Sequence, residues 1–392
     1  MATIKQISEL SGVSRGTVDR VLNGRGHVSP EKERLVRSIA EQVGYTPNRA
    51  GKALAARKKS YIIGVLLASE GNPFFGEVIR GVHEAERELH DYGVKVVLRT
   101  QKGYDVAAQL AAMDEMGEDT NALILNPIND PAVAEKINAL SDRGVQMYTL
   151  NTDIEDCRRL CYIGSDYFEG GRIACGMLGL LTGGVANVGI LTGSVHILGH
   201  KQRINGFLDV MYKKYPKFRF LSIMETEDDD MIGFESTRRM LTEYPEIDTI
   251  FLAAAGVYGV CRAVQSFLPE RRLHIVSFDH IPQTEELMRA GLIQATICQQ
   301  PFAQGYEAVK LAFNSLMNGM PPAEQQFIVK NDIRILENLY TKTAERRPSH
   351  TAAYLFAFLL CFENSLLAGV PFLPARQCRA RYLLPILYYL SF

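Results

Sequence analysis

Residues 3–24 read TIKQISELSGVSRGTVDRVLNG, and their spacing decides what the front of this chain is. Thr3 is placed to cap a helix over Ile4–Ser11, in which Ile4, Ile7 and Leu10 recur at helical spacing. Gly12-Val13-Ser14 breaks it, and Ser14 is placed to cap a second helix over Arg15–Leu22. That helix turns Val18, Val21 and Leu22 to one side and leaves Arg15, Thr17 and Arg20 off it; Asn23-Gly24 stops it. Ser29-Pro30 opens a third helix with a cap followed by proline at the first helical position. It is expected to run to Val43, with Gly44 as its stop and Val36, Ile39, Ala40 and Val43 on its inner face. Two short helices joined by a tight Gly-containing turn, with a third closing the core, make a helix-turn-helix. A generic three-helix bundle is the alternative, but the second helix is too short and too polar outside for core packing alone to explain it.

Charge concentrates in the same region. Residues 1–60 hold twelve Lys and Arg against five acids, a surplus of +7, which leaves −8 on the remainder of a chain whose net charge is −1. A basic head on an acidic body suits a polyanion-binding module fused to something that does not touch the polyanion. On charge alone, a solvated basic face would read the same way. The 392 residues, 47% hydrophobic and 22% charged, suffice for two or three globular domains. Seven scattered cysteines, often inside apolar runs, fit reduced buried thiols better than a disulfide framework, and Cys157 and Cys161 lack the partners of a zinc site. The polar N-terminus has no apolar signal core, so a cytoplasmic protein is expected.

Tyr45-Thr46-Pro47-Asn48 interrupts the chain, and a short Ala- and Lys-rich helical stretch follows over residues 49–57. It carries few apolar groups, and isolated helices this short are marginal in water, so it reads as an element ordered only on docking. From Tyr61 apolar runs of strand length alternate with amphipathic helices. The strands are expected at residues 62–68, 94–98, 122–125, 147–150, 188–191, 249–253, 274–278 and 295–298, with helices such as 75–92, 168–181, 201–212 and 301–317 between them. This alternation signals a parallel, doubly wound α/β architecture, which binds ligands at the carboxyl ends of its strands. About 280 residues is generous for one such sheet, so two lobes around a cleft are expected. The tail is different: residues 352–362 are an unbroken apolar run and Arg376, Arg379 and Arg381 follow. A membrane span needs about 20 apolar residues, for which the tail is barely long enough, and membrane anchoring is not expected. We read residues 344–392 as an atypical extension without a function of its own.

Thr3-Ile4-Lys5, Ser11-Gly12-Val13-Ser14, Thr17-Val18-Asp19-Arg20-Val21-Leu22-Asn23 and Tyr45-Thr46-Pro47-Asn48 together resemble the head of the lac/galactose repressor family. The body resembles that family's sensor domain, which is similar to periplasmic sugar-binding proteins; the likeness spans about residues 2–341. The resemblance implies that the second helix docks in the major groove of DNA, with Arg15, Gly16 and Arg20 where the family reads bases. Ser14, Thr17, Asn23, His27 and Ser29 would make phosphate-side contacts, which set register without reading sequence, and Thr3 joins them as a DNA-binding residue; for His27 a loop histidine with no role is an equal alternative. Asp19 departs from the usual serine, and either an ion pair with Arg15 one turn earlier or acceptance from cytosine would accommodate it. In the hinge, Asn48 and Arg49 resemble minor-groove contacts, and Leu54 lies where the family wedges a leucine between base pairs. Paired wedges imply a homodimer on a near-palindromic operator.

In the body, the resemblance makes Asn72, Phe74 and Phe75 (after the first strand), Asn151, Thr152, Arg203, Asp279 and Gln299 candidate effector contacts, aromatic rings against apolar faces and polar groups on hydroxyls. Taken singly, each could be a strand-end residue satisfied by backbone; as a set they favour a cleft. Where the family shows Asn-Asp, this chain has Ala253-Ala254-Ala255-Gly256, so a typical free pentose is less well provided for. The architecture expected is a small all-α helix-turn-helix head (1–45), a hinge helix and linker (46–60), an α/β two-lobed effector-binding and dimerisation body (61–343) and the extension (344–392). The function expected is a DNA-binding repressor controlled by a sugar, polyol or derivative through lobe closure, without catalytic residues, cofactor or metal. An α/β enzyme acting on a small carbohydrate is the alternative. It lacks a nucleophile elbow, a phosphate loop or a dinucleotide fingerprint; His196 and His200 have no metal-ligand partners, and Asp228-Asp229-Asp230 reads as a solvated loop.

Overall fold

The computed structural model of the chain describes residues 3–22, 28–43, 60–68, 70–194 and 197–339. Its head consists of α1 (Ile4–Ser11), α2 (Arg15–Leu22) and α3 (Pro30–Gln42). Ile7, Val18, Val21, Val36 and Ala40 are buried at its centre, ringed by Ile4, Val13, Leu22, Val28, Ile39 and Val43. The Thr3 hydroxyl accepts from the Gln6 N–H at 3.2 Å, and Gly12 ends α1 in the left-handed region at φ 64. Ser14 Oγ accepts from the Thr17 N–H at 3.3 Å, capping α2 as its spacing predicts. Ser29 stands at the N-cap of α3 but makes no side-chain capping bond, and the helix stops at Gln42 with Val43 as cap. Pro30 presets the first helical φ without help from the hydroxyl.

The body carries strands β1 (Ile62–Ala68), β2 (Lys95–Gln101), β3 (Ala122–Leu125), β4 (Gln146–Leu150), β5 (Cys161–Ser165), β6 (Val185–Thr192), β7 (Lys217–Glu225), β8 (Thr249–Leu252), β9 (His274–Phe278), β10 (Ala295–Cys298), β11 (Gln326–Val329) and β12 (Asp332–Arg334). Helices α4 (Phe74–Leu89), α5 (Val106–Asp119), α6 (Pro131–Asp142), α7 (Tyr167–Leu181), α8 (Leu198–Lys214), α9 (Asp230–Glu243), α10 (Val257–Phe267), α11 (Pro282–Arg289) and α12 (Pro301–Asn318) lie between them. One sheet has the order β11-β5-β4-β3-β1-β2, the other β12-β10-β9-β8-β6-β7. Among the described residues all pairings are parallel except β12 against β10. Strands such as β3, β5 and β10 are buried throughout because helices cover both faces, which is why they read as continuous apolar runs.

The sequence reading omitted β5, β7, β11 and β12. β5 is short and contains Gly and Ser, β7 is a half-exposed edge strand, and β12 exists only through its pairing with β10. Helix α4 ends at Leu89 and gives way to a 3-10 turn over His90–Tyr92, short of the continuous helix expected.

Each lobe winds its sheet outward in both directions from one strand, β1 in the first and β6 in the second, so the strand order reverses between β1 and β3 and between β6 and β8. Crevices at the carboxyl ends of strands beside such reversals are where this architecture binds ligands. The chain crosses between lobes after β5, after β10 and between β11 and β12, so both crevices open toward the same cleft. Helices α7 and α8 pack backbone to backbone: a Cβ on Gly171 would lie 1.9 Å from the Arg203 carbonyl oxygen, and one on Gly206 2.0 Å from that of Phe168. The position of Arg203 is thereby set by main-chain contact.

Cys157, Cys161, Cys175, Cys261 and Cys298 are free thiols, as expected; burial pushes Cys161 up to about 11 and Cys175, Cys261 and Cys298 to about 12. Among the described residues no helix is long and apolar enough to cross a membrane. The hinge and the apolar tail lie outside the described residues, as do Asn23, His27, Asn48, Arg49, Leu54 and His196.

Candidate functional site

In the head, Arg15, Gly16 and Arg20 are exposed on α2, on the side away from buried Val18 and Val21. Arg20 Nε donates back to the Gly16 carbonyl at 3.2 Å, which lays its stem along the helix. The Ser14 and Thr17 hydroxyls meet at 2.9 Å at the start of the same helix, and Thr3 and Ser29 are exposed at the starts of α1 and α3. Asp19 is half-buried. The short, polar-faced second helix of this arrangement is the part that fits a major groove.

In the second lobe, Arg203 of α8 is only 3% exposed. Its Nη1 donates to the Ala253 carbonyl at 2.6 Å, and its guanidinium lies 3.8 Å from the centre of the Phe278 ring and 4.6 Å from that of Tyr167. Ring faces attract a cation, by about 2 kcal/mol or more once water is excluded. Nε remains buried without a partner. Asp279 follows β9 with a left-handed φ of 66 and accepts from Gln299 Nε2 at 2.8 Å. Burial pushes Asp279 up to about 6, while Arg203 and the Gln299 bond pull it down. Gln299 in turn accepts from Ser165 Oγ at 2.9 Å, so a chain of bonds from one lobe to the other fixes its amide.

In the first lobe, Asn72 follows β1 and its Oδ1 accepts from the Phe74 N–H at 3.0 Å. Phe74 and Phe75 are edge to face at 5.2 Å and also close the core of that lobe. Asn151 follows β4 at φ 66; its Nδ2 donates to Gln304 Oε1 at 3.3 Å, and its carbonyl accepts from the Tyr162 hydroxyl at 2.9 Å. Thr152 is 1% exposed and its Oγ1 has no partner. The expected residues thus stand at the carboxyl ends of β1, β4, β9 and β10, with Arg203 on α8.

Sequence reasoning missed several neighbours. Asn126, buried directly after β3, donates to the Leu150 carbonyl at 3.3 Å; the same strand-end rule could have found it. Tyr167 and Phe278 wall Arg203, a contact with no local signature. Asp229 and Asp230 are exposed, as a solvated loop would have them, but Asp228 is half-buried and each of the three carboxylates is engaged. Asp229 caps α9 by accepting from Met231 and Ile232 N–H, Asp230 accepts from the Gly259 N–H at 3.1 Å, and Asp228 accepts from the Ala255 N–H at 2.8 Å and from the Tyr104 hydroxyl. Three consecutive acids persist because each has a separate backbone donor. Among the described residues no cluster of side chains could hold a metal ion.

An exposed-faced helix-turn-helix joined to a two-lobed α/β body with a polar interlobe cleft defines a DNA-binding regulator with a ligand-sensing domain. Residues 3–48 match bacterial regulatory proteins of the lacI family, and residues 63–319 match the periplasmic binding protein domain. The chain is 27% identical over 330 residues to a ribose operon repressor of Bacillus subtilis, covering 83% of this chain and 94% of that one. It is 25% identical over 289 residues to the HTH-type transcriptional regulator CelR of Thermobifida fusca, covering 71% and 82%. A solved glucose-galactose binding protein, GanP of Geobacillus stearothermophilus, shares the fold of the body with a TM-score of 0.67 at 24% identity, over 72% of this chain and 99% of that one. The chain belongs to the periplasmic binding protein domain family over residues 63–319, carries a lacI-family helix-turn-helix domain at its head, and is a DNA-binding transcriptional regulator.

Proposed function

We propose that this protein is a cytoplasmic repressor that binds a near-palindromic operator as a homodimer and is controlled by a small carbohydrate-like effector held between its lobes. In this reading Arg15, Gly16 and Arg20 read bases, Thr3, Ser14, Thr17, Asn23, His27 and Ser29 face phosphates, and Asn48, Arg49 and Leu54 enter the minor groove. Asn72, Phe74, Phe75, Asn151, Thr152, Arg203, Asp279 and Gln299 contact the effector, with Asn126 beside them.

The observation that carries the sensor half is a buried polar atom without a partner in each lobe: Thr152 Oγ1 in the first, Arg203 Nε in the second. Each such atom costs about 1–3 kcal/mol until something satisfies it, and hydroxyls of a bound polyol supply what both need. The names of the ribose- and glucose-galactose-linked relatives support a carbohydrate. Closure of the lobes on the effector alters the geometry of the dimer and the order of its hinges, so effector and operator affinities are reciprocally coupled.

Footprinting on the DNA upstream of the gene itself, with and without a panel of sugars and polyols, tests this. The expected result is a protected palindrome whose protection changes with one class of compound. If the purified chain protects no palindromic site even at low salt, the reading is wrong.

A further inference from the structure

The geometry points to Asp228 as an effector-binding carboxylate that selects polyols lacking an acid group, with Tyr104 of the opposite lobe sharing it across the mouth of the cleft. The inference rests on the interlobe cleft being the effector site. Asp228 follows β7 in a left-handed conformation, φ 57. One oxygen accepts from the Ala255 N–H at 2.8 Å, which hangs the carboxylate on the 253–256 turn, where no polar side chain is available. The other accepts from the Tyr104 hydroxyl. Tyr104 follows β2, and β2 and β7 are the sheet edges farthest from the three interlobe crossings. The bond therefore joins the lobes on the side where the cleft opens.

Gly193, at the end of β6 beside the strand-order reversal, packs beneath this group. A Cβ there would lie 2.7 and 2.8 Å from the Asp228 oxygens and 2.4 Å from the His200 ring. Two independent features point to a ligand at this place: Thr192 Oγ1 and Arg203 Nε, on residues 2% and 3% exposed, have no hydrogen-bond partner. Asp228 also contributes to the raised pKa of Asp279 and of Tyr167, which puts it in the same electrostatic neighbourhood as the Arg203 site.

A carboxylate offers roughly four lone-pair sites. The two bonds seen leave room for a ligand donor without displacing Tyr104. The charge around it disfavours an acid. Arg203 is offset by Asp228 and Asp279, and burial holds His200 below the usual imidazole value. Glu225 and Glu227 add negative charge on the same segment, and in the first lobe Asp153 is already paired with Arg159 at 2.5 Å. Hydroxyl or ammonium groups donate to Asp228; a carboxylate on the effector would face it.

Titration calorimetry of the full chain, against pentoses, hexoses and inositols each set beside its amino and uronic acid analogue, tests this. The tightest ligand is expected to carry no acid group. Asp228→Asn should weaken that ligand about tenfold to hundredfold, the range of one charge-assisted hydrogen bond, and narrow its margin over the matched acid. Tyr104→Phe, which leaves the carboxylate in place, should weaken it several-fold by loosening the closed state, and reads the same bond even where Asp228→Asn does not fold. A uronic acid as the tightest ligand, or an affinity unchanged within threefold in both variants, overturns the assignment of Asp228 while leaving the sensor reading intact. If no compound of the panel binds or alters the footprint, both fall.

Discussion

Replacing Asp279 with Asn isolates the cost of holding a carboxylate beneath the cleft. Burial raises this group from an ordinary 3.8 to about 6 in the fold. The folded chain then binds the proton more tightly than the unfolded chain does, so stability falls as pH rises from about 4 to about 6 and levels off above that. A tenfold difference in proton affinity is about 1.4 kcal/mol. The ionised side chain therefore costs the fold about 3 kcal/mol at neutral pH, of which about 2 kcal/mol develops between about pH 4.5 and pH 7.5. Asn has nearly the same shape, tolerates the left-handed φ of 66 and can still accept from Gln299. The stability of Asp279→Asn relative to the unaltered protein is thus expected to rise by about 2 kcal/mol over that range. Any constant offset from losing the charge beside Arg203 cancels in the comparison across pH. Urea unfolding followed by circular dichroism at each pH measures it, since the chain has no Trp to report by fluorescence. A difference that stays flat with pH would refute the reasoning, because it would mean that the carboxylate keeps its ordinary affinity for the proton.

Gly171→Ala is expected to destabilise the body by about 1–3 kcal/mol and to abolish the effector response, because the new methyl would meet the Arg203 carbonyl at 1.9 Å. An unchanged melting temperature with a normal response would contradict the close helix contact. Ile7→Ala, at a fully buried position, should cost the head about 2–5 kcal/mol and remove operator binding; calorimetry should show effector binding by the body preserved, and its loss would mean the two parts do not fold independently. Leu54→Ala should weaken binding to the operator far more than binding to nonspecific DNA, and equal losses in a gel-shift titration would remove the wedge.

Much of this protein was legible because its signals are local. Helices Ile4–Ser11 and Arg15–Leu22 follow from apolar spacing and from caps at Thr3 and Ser14, all decided within a few residues. Strands β1, β3, β9 and β10 were readable to the residue because strands buried on both faces must be apolar from end to end. Arg203, Asp279 and Gln299 could be nominated from motifs alone. Tertiary structure decided what these groups meet and in which state of charge. Two rings, from Tyr167 and Phe278, enclose the Arg203 guanidinium, and only burial reveals the raised pKa of Asp279. Asp228 shows the limit most clearly: three consecutive acids look solvated by composition, yet its partners are Ala255 and a tyrosine 124 residues earlier in the chain. Periodicity and capping are properties of neighbours along the chain. The pairing of polar groups across the cleft depends on three lobe crossings that bring distant strand ends together, and no window of sequence contains them.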